Sequence, residues 1–360
     1  MTINLEQKAQ VWKSQYCIDA NSLGLYRILF CLWFILFKPS SYAWIGDVPK
    51  AFYQPPILSF ASLLNTFPDR SFFLFLDTII ALSLFLVAIG FLTRCSTATL
   101  LIAQLIGNNF QYSFGKIDHS IFVQCVLLVM LLANWGRALS VDQLIFRTKD
   151  NRARSIWLLA VFLAFGFFTA GFGKAMHWID FDLQTNGFLN WLYSGYYTLD
   201  RQRLLAPFAM NARPLWIWEF ADITAVIFEL GFLLALFRRR SFMIWLWIAC
   251  MFHLANCLIL NISFAHYSIC YLAFVPWTKI IPPLAKARRA PIWVLLSVGI
   301  FMFLGGPPLY LYYPLTASPS WALERGAVMW GLCGVVVATA ILRCGSKWAP
   351  EGGDQNLIEN

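Results

Sequence analysis

Residues 156–174 read Ile156-Trp157-Leu158-Leu159-Ala160-Val161-Phe162-Leu163-Ala164-Phe165-Gly166-Phe167-Phe168-Thr169-Ala170-Gly171-Phe172-Gly173-Lys174. From Ile156 to Phe172 there is no charged side chain. At about 1.5 Å of rise per residue, the run comes close to crossing the ~30 Å hydrocarbon core of a bilayer. A lysine at the end of such a run is costly unless it snorkels to the interface, pairs with an anion or works as a base. The run itself leaves those readings open.

The rest of the chain has the same character. It is 59% hydrophobic and 12% charged, with 33 Phe, 16 Trp and 13 Tyr in 360 residues. Soluble domains carry about 25% charge. So much apolar surface cannot be buried in one aqueous core, and lipid must be the solvent. The net charge of +9 would suggest a nucleic-acid partner in a soluble protein. Here the Lys and Arg residues fall between apolar runs, where they set topology, and no nucleic acid is expected. The nine cysteines contain no C-x-x-C pair and lie mostly inside apolar runs, as small hydrophobes do. The first 21 residues are polar, and the next run meets Lys38-Pro39 without a small-residue cleavage site, which predicts a retained first span.

Apolar runs occur near 22–37, 71–92, 95–113, 119–135, 155–173, 216–237, 241–260, 262–277, 291–311 and 326–342. They predict an all-α, polytopic transmembrane helical bundle of about eight to ten spans. The ninth run contains Gly305-Gly306-Pro307-Pro308, which breaks or ends a helix. Basic residues in the loops after even-numbered spans, with those of both termini, outnumber those after odd-numbered spans about two to one. That asymmetry predicts both termini in the cytoplasm, and the run Arg238-Arg239-Arg240 reads as one of its signals. Residues 241–277 carry no Lys or Arg and have basic clusters on both sides, which predicts a helical hairpin turning near Asn261-Ile262-Ser263.

With that topology, the chain's four histidines and Lys174 all fall in the outer half of the membrane. His119 follows Asp118 at a helix start, where either neighbour can cap the helix and leave His119 at the interface. His253 and Asn256 are three apart and share one helical face, as structural glue or as substrate-orienting groups. Gly171 and Gly173 flank Lys174 and admit a close backbone or a flat ligand. Glu219, Asp222 and Glu229 share one side of their helix at 100° per residue, as structural partners of Arg27 or another cation, or as a proton path. Asp77 poses the same choice. Trp178, Trp191, Tyr193, Tyr196 and Tyr197 form an interfacial aromatic belt with a short re-entrant helix. The histidine spacings make no metal motif.

Six pieces occur in order: Ser22-Leu23-Gly24-Leu25-Tyr26-Arg27, Gly90-Phe91-Leu92-Thr93-Arg94, His119-Ser120, Ser140-Val141-Asp142, Ala170-Gly171-Phe172-Gly173-Lys174 and Phe252-His253-Leu254-Ala255-Asn256. Together they resemble the vitamin K-dependent gamma-carboxylases and their bacterial relatives, the HTTM proteins, over about residues 22–277. The resemblance implies that Lys174 is the base that deprotonates a reduced quinone of the vitamin K or menaquinol type. It implies that His119 supports that step and that His253 and Asn256 lie beside it, on the outer, periplasmic side of a bacterial inner membrane. In that family, oxygen and the quinol then yield an epoxide and a strong base, which removes a proton from a substrate glutamate for carboxylation. The large luminal portion of the carboxylases has no counterpart here, so the alternative is a non-catalytic membrane factor for maturation or export of a small secreted peptide. The expected division is a cytoplasmic segment 1–21, a transmembrane domain 22–277, a basic loop with two further spans over 278–343 and a polar tail 344–360.

Overall fold

A computed structural model describes residues 5–37, 41–115, 121–146, 152–180, 182, 186–285 and 322–345. The described residues are helical apart from two two-residue strands and the connecting turns. They fall into two compact units: Met1–Cys17, Trp157–Val275 and Ala317–Asn360 in the first, Ile18–Ile156 and Pro276–Thr316 in the second.

In the second unit the long helices are α2 (Ala20–Phe37), α3 (Arg70–Ile89), α4 (Thr93–Gln111) and the described part of α5 (Ile121–Ala133), followed by the short α6 (Val141–Phe146). Asp69 starts α3 by accepting a hydrogen bond from the Phe72 amide at 3.0 Å. Gly90 ends α3 in the left-handed region at φ 72°, with Phe91 N donating to Leu86 O and Gly90 N to Val87 O. The next turn is tied by Asp142, whose carboxylate accepts from Leu92 N (2.7 Å), Thr93 N (2.7 Å) and Thr93 Oγ1 (2.6 Å) and so caps α4. Arg27, fully buried in α2, donates to the carbonyls of Trp135, Ala138 and Leu139. A Cβ on Gly90 would lie 2.4 Å from Ser140 Cβ and 2.9 Å from Arg27 Cζ, so only glycine fits there. Three of the family-like pieces, around Arg27, Gly90–Arg94 and Ser140–Asp142, are thus one polar knot that locks helix ends together. Asp77 is also structural. Its carboxylate accepts from the amides of Tyr42 (2.9 Å) and Ala43 (3.1 Å) and from Ser41 Oγ (3.1 Å).

The first unit contains α1 (Leu5–Ser14), α7 (Trp157–Trp178), α8 (Gly187–Thr198), α9 (Ala206–Met210), α10 (Trp216–Ala235), α11 (Arg239–Ile259), α12 (Ser268–Leu272) and α15 (Ala322–Cys344). Two further four-residue helices, α13 (Trp277–Ile280) and α14 (Pro282–Ala285), precede α15 in the chain and belong to the second unit. Among the described helices, α3, α7, α11 and α15 are long and apolar enough to cross a membrane, which marks this as a membrane protein. α10 matches them in length but carries three acids.

The structure departs from the sequence expectation at two places in this unit. The turn near Asn261 is present, with Asn261 at φ 53° and its amide side chain bonded to Arg203 N and O. The return leg over 262–277, however, is not a spanning helix. It holds a three-residue 3-10 turn and the five-residue α12, because Ser263, His266, Ser268 and Pro276 interrupt a run already short for a bilayer. Arg239, read as a topology signal, is buried, with Nη1 donating to Gln15 O (2.8 Å) and Cys17 O (3.2 Å) and Nη2 to Phe274 O (3.0 Å). The 291–311 run lies outside the described residues.

Candidate functional site

Lys174 lies one turn before the end of α7, and its Nζ forms a hydrogen-bonded ion pair with Glu229 Oε1 of α10. The lysine side chain is 25% exposed and the glutamate 3%. Glu229 Oε2 is buried and has no hydrogen-bond partner among the described residues. Two rings stand near the ammonium, Trp178 with its centroid 5.3 Å from Nζ and Phe252 at 6.0 Å.

The flanking glycines do different jobs. A Cβ on Gly171 would lie 2.7 Å from Glu229 Cβ and 3.1 Å from Leu230 N, so this glycine lets α7 and α10 approach closely enough for the pair to form. Among the described residues, nothing lies within 4 Å of a Cβ on Gly173. Glu229 of α10 thus meets Lys174 where Gly171 lets the helices close in, while the Lys174 side chain keeps 25% of its surface exposed among the described residues.

The acids of α10 are sorted by their partners. Asp222 is fully buried and accepts from the amides of Gly187 and Phe188, each at 2.7 Å, satisfying the first N–H groups of α8. Glu219 Oε2 accepts from Asn186 Nδ2 at 3.0 Å, while Glu219 Oε1 and Asn186 Oδ1 are buried without partners among the described residues. Gly187 in turn sits against the Trp178 ring, where a Cβ would come within 2.5 Å of three ring atoms. The Asp222 cap thus fixes α8, α8 fixes Trp178, and Trp178 stands over Lys174. Of the partners open to these acids, Arg27 or another cation, Glu229 takes Lys174, while Glu219 and Asp222 accept from neutral donors.

His253, 3% exposed on α11, is hydrogen-bonded through Nε2 with Tyr271 Oη at 2.9 Å. Its ring stacks on Trp330 of α15 at 4.5 Å, with Phe167 of α7 at 5.9 Å and Phe252 at 5.8 Å. Asn256, also buried, takes hydrogen bonds at its backbone carbonyl from Leu260 N (2.9 Å) and Ile262 N (3.3 Å) and so helps close α11. Phe252 borders both Lys174 and His253, which puts the two family-like pieces of the first unit on one continuous aromatic wall. His119, the expected partner of Lys174, lies outside the described residues.

Tyr271, Trp330 and Asn186 were not singled out in the sequence. Tyr271 and Trp330 look like ordinary apolar-run aromatics, and only their meeting with His253 distinguishes them. Asn186, just before Gly187, did carry a signal, since Asn is favoured at helix starts. Among the described residues no group of three or more His, Cys, Asp or Glu side chains is placed to hold a metal ion. No family model, curated protein or solved structure matches the chain.

Proposed function

We propose that this protein is a polytopic membrane enzyme of the HTTM, carboxylase-like kind that deprotonates a reduced quinone with Lys174. The observation that carries this reading is a lysine near the end of an apolar helix, paired with a buried carboxylate and still partly exposed. A snorkelling helix end has no need of a buried carboxylate partner. A buried carboxylate also gives the lysine a group to which it can pass a proton.

The residues suit a flat hydroquinone: the Trp178 and Phe252 rings border the ammonium, and the lysine side chain is partly exposed to an approaching ring. The quinol, menaquinol being the natural bacterial candidate, supplies an acidic hydroxyl and a carbon framework that oxygen converts to an epoxide. Lys174 receives the proton at Nζ, beside Glu229 of α10, and His119 is assigned as the supporting base. His253, held by Tyr271 and Trp330, orients the aromatic wall. The topology that accompanies this reading has about eight to ten crossings, cytoplasmic termini and the site facing the periplasm.

An ion-coupled transporter that uses the three acids of α10 as its proton path has less support, because Asp222 already holds the start of α8 through both oxygens. The test is detergent-purified protein with menadiol and oxygen. Epoxide from the wild type that vanishes in Lys174→Ala supports the enzyme. No epoxide from any quinol, together with co-purification of a small secreted peptide that persists in Lys174→Ala, replaces it with the maturation factor.

A further inference from the structure

We infer that Glu229 is the terminal acceptor of the proton that Lys174 takes from its substrate, so that Lys174 acts as a relay and stays cationic. The inference rests on the enzyme reading above and deepens it.

The geometry makes the argument. An ammonium ion has no lone pair and cannot take a proton. In an ion pair, Lys174 becomes a base only by first giving a proton away. Glu229 Oε1 is the atom hydrogen-bonded to Nζ, and Oε2 is buried with no partner among the described residues to compete for the charge. When a substrate hydroxyl presents its proton to Nζ, one Nζ proton passes to Oε1. The O–H bond of the substrate and one N–H bond of Lys174 break, while a new N–H bond and the Glu229 O–H bond form. The electron pair stays on the substrate oxygen. The site then holds a substrate anion, a lysine still carrying its charge beside that anion, and a neutral carboxylic acid in the apolar interior. Net charge is unchanged, and the only ion removed from burial is the carboxylate, the one most costly to keep there.

The surrounding ionisable groups leave this role to Glu229. From α7 the charged group facing it is Lys174. On α10 itself, Asp222 is committed to the start of α8 and Glu219 to Asn186. Of the ionisable groups of α11, His253 is engaged with Tyr271, Arg239 with backbone carbonyls, Cys250 with Cys333 and Cys257 with the Leu323 carbonyl, and Arg240 is at the exposed start of the helix. Gly171 reads as part of the same device, because any side chain there pushes Glu229 away from Lys174.

Two measurements on the full-length protein test the relay. The first is the infrared carboxyl band of detergent-purified protein without quinol, followed against pH. Coupling predicts that the protonated-carboxyl band of Glu229, identified by its loss in Glu229→Gln, is present at neutral pH in Lys174→Met and appears in the wild type only on acidification. Identical bands in the two proteins overturn the inference. The second is the pH profile of menadiol epoxidation. Glu229→Gln, confirmed folded by an unchanged elution profile and unfolding temperature, is expected to lose about a hundredfold at neutral pH. It should then recover about tenfold per pH unit towards alkaline pH, where free hydroxide rather than Glu229 discharges the lysine. A wild-type rate and profile in Glu229→Gln, or a loss that alkaline pH does not rescue, overturns the relay while leaving Lys174 as base. If the wild type makes no epoxide, the enzyme reading fails and takes the relay with it. The infrared coupling then reports only a structural pair.

Discussion

Replacing Asp222 by alanine separates a structural acid from a proton-path acid. The wild-type carboxylate, fully buried, receives two amide hydrogen bonds of 2.7 Å from Gly187 and Phe188. A hydrogen bond to a charged group contributes about 1.5–3 kcal/mol, and a buried donor left without a partner costs about 1–3 kcal/mol. The ion also complements the positive end of the α8 dipole, for about another 0.3–1 kcal/mol. Water can reach a frayed first turn and restore part of the loss, so we expect about 3 kcal/mol for Asp222→Ala. Asp222→Asn keeps one acceptor oxygen but turns an NH2 group towards the other amide, and should cost about 2 kcal/mol. At about 1.4 kcal/mol per tenfold, the alanine variant should speed hydrogen exchange at the Gly187 and Phe188 amides at least a hundredfold. Because Gly187 packs on the Trp178 ring, tryptophan emission should also change. Unaltered exchange at these two amides with an unaltered unfolding temperature would refute the capping argument. Loss of ion or proton flux without either change would instead revive a transport role.

Gly171→Ala should cost about 1–3 kcal/mol through overpacking against Glu229 and break the Lys174 pair, whereas Gly173→Ala, with no described residue near its Cβ, should gain up to about 1 kcal/mol of helix propensity. Thermal unfolding of the two variants checks the contrast. Arg27→Met should destabilise the second unit by about 3 kcal/mol or more, since three carbonyls lose their shared donor inside the knot; Arg27→Lys should recover only part of that. Exposed Asp69 has its pKa lowered, first by the hydrogen bond from Phe72 N and then by that from Ser71 Oγ. A depressed folded-state pKa means that the cap's stabilisation is complete above the ordinary Asp value of about 3.9 and is lost as pH falls below it. Exchange at the start of α3 should accelerate in that acid window, and Asp69→Asn should remove the pH dependence.

Much of the helical layout is visible in the sequence because apolar length is a local property. The runs at 71–92, 155–173, 241–260 and 326–342 each contain the centre of an observed helix long enough to span. The 262–277 run fails for an equally local reason, being short and broken by polar residues and Pro276. Arg239 shows a signal that was present but masked by its basic neighbours. Arg239, Phe242, Met243, Leu246, Ala249, Cys250 and His253 are buried along one stripe of α11, and the stripe's spacing of three and four begins at the arginine. Charge counting treats Arg238, Arg239 and Arg240 as equivalent. Helical phase does not.

The acids of α10 mark where local reading stops. Spacing puts Glu219, Asp222 and Glu229 on one side of the helix, and all three are indeed buried. What each does depends on a partner 33 to 55 residues away: Asn186 for Glu219, the α8 amides for Asp222, Lys174 for Glu229. No periodicity encodes those meetings. Once they are known, the three carboxylates cease to be interchangeable, since protonating a carboxylate that accepts two amide hydrogens weakens the charge-assisted bonds that hold its helix. Of the three, Glu229 alone is bonded to a group that can hand it a proton and take another from a substrate. That asymmetry, rather than the depth of Lys174 in its apolar run, is the strongest physical reason to read the lysine as part of a working site.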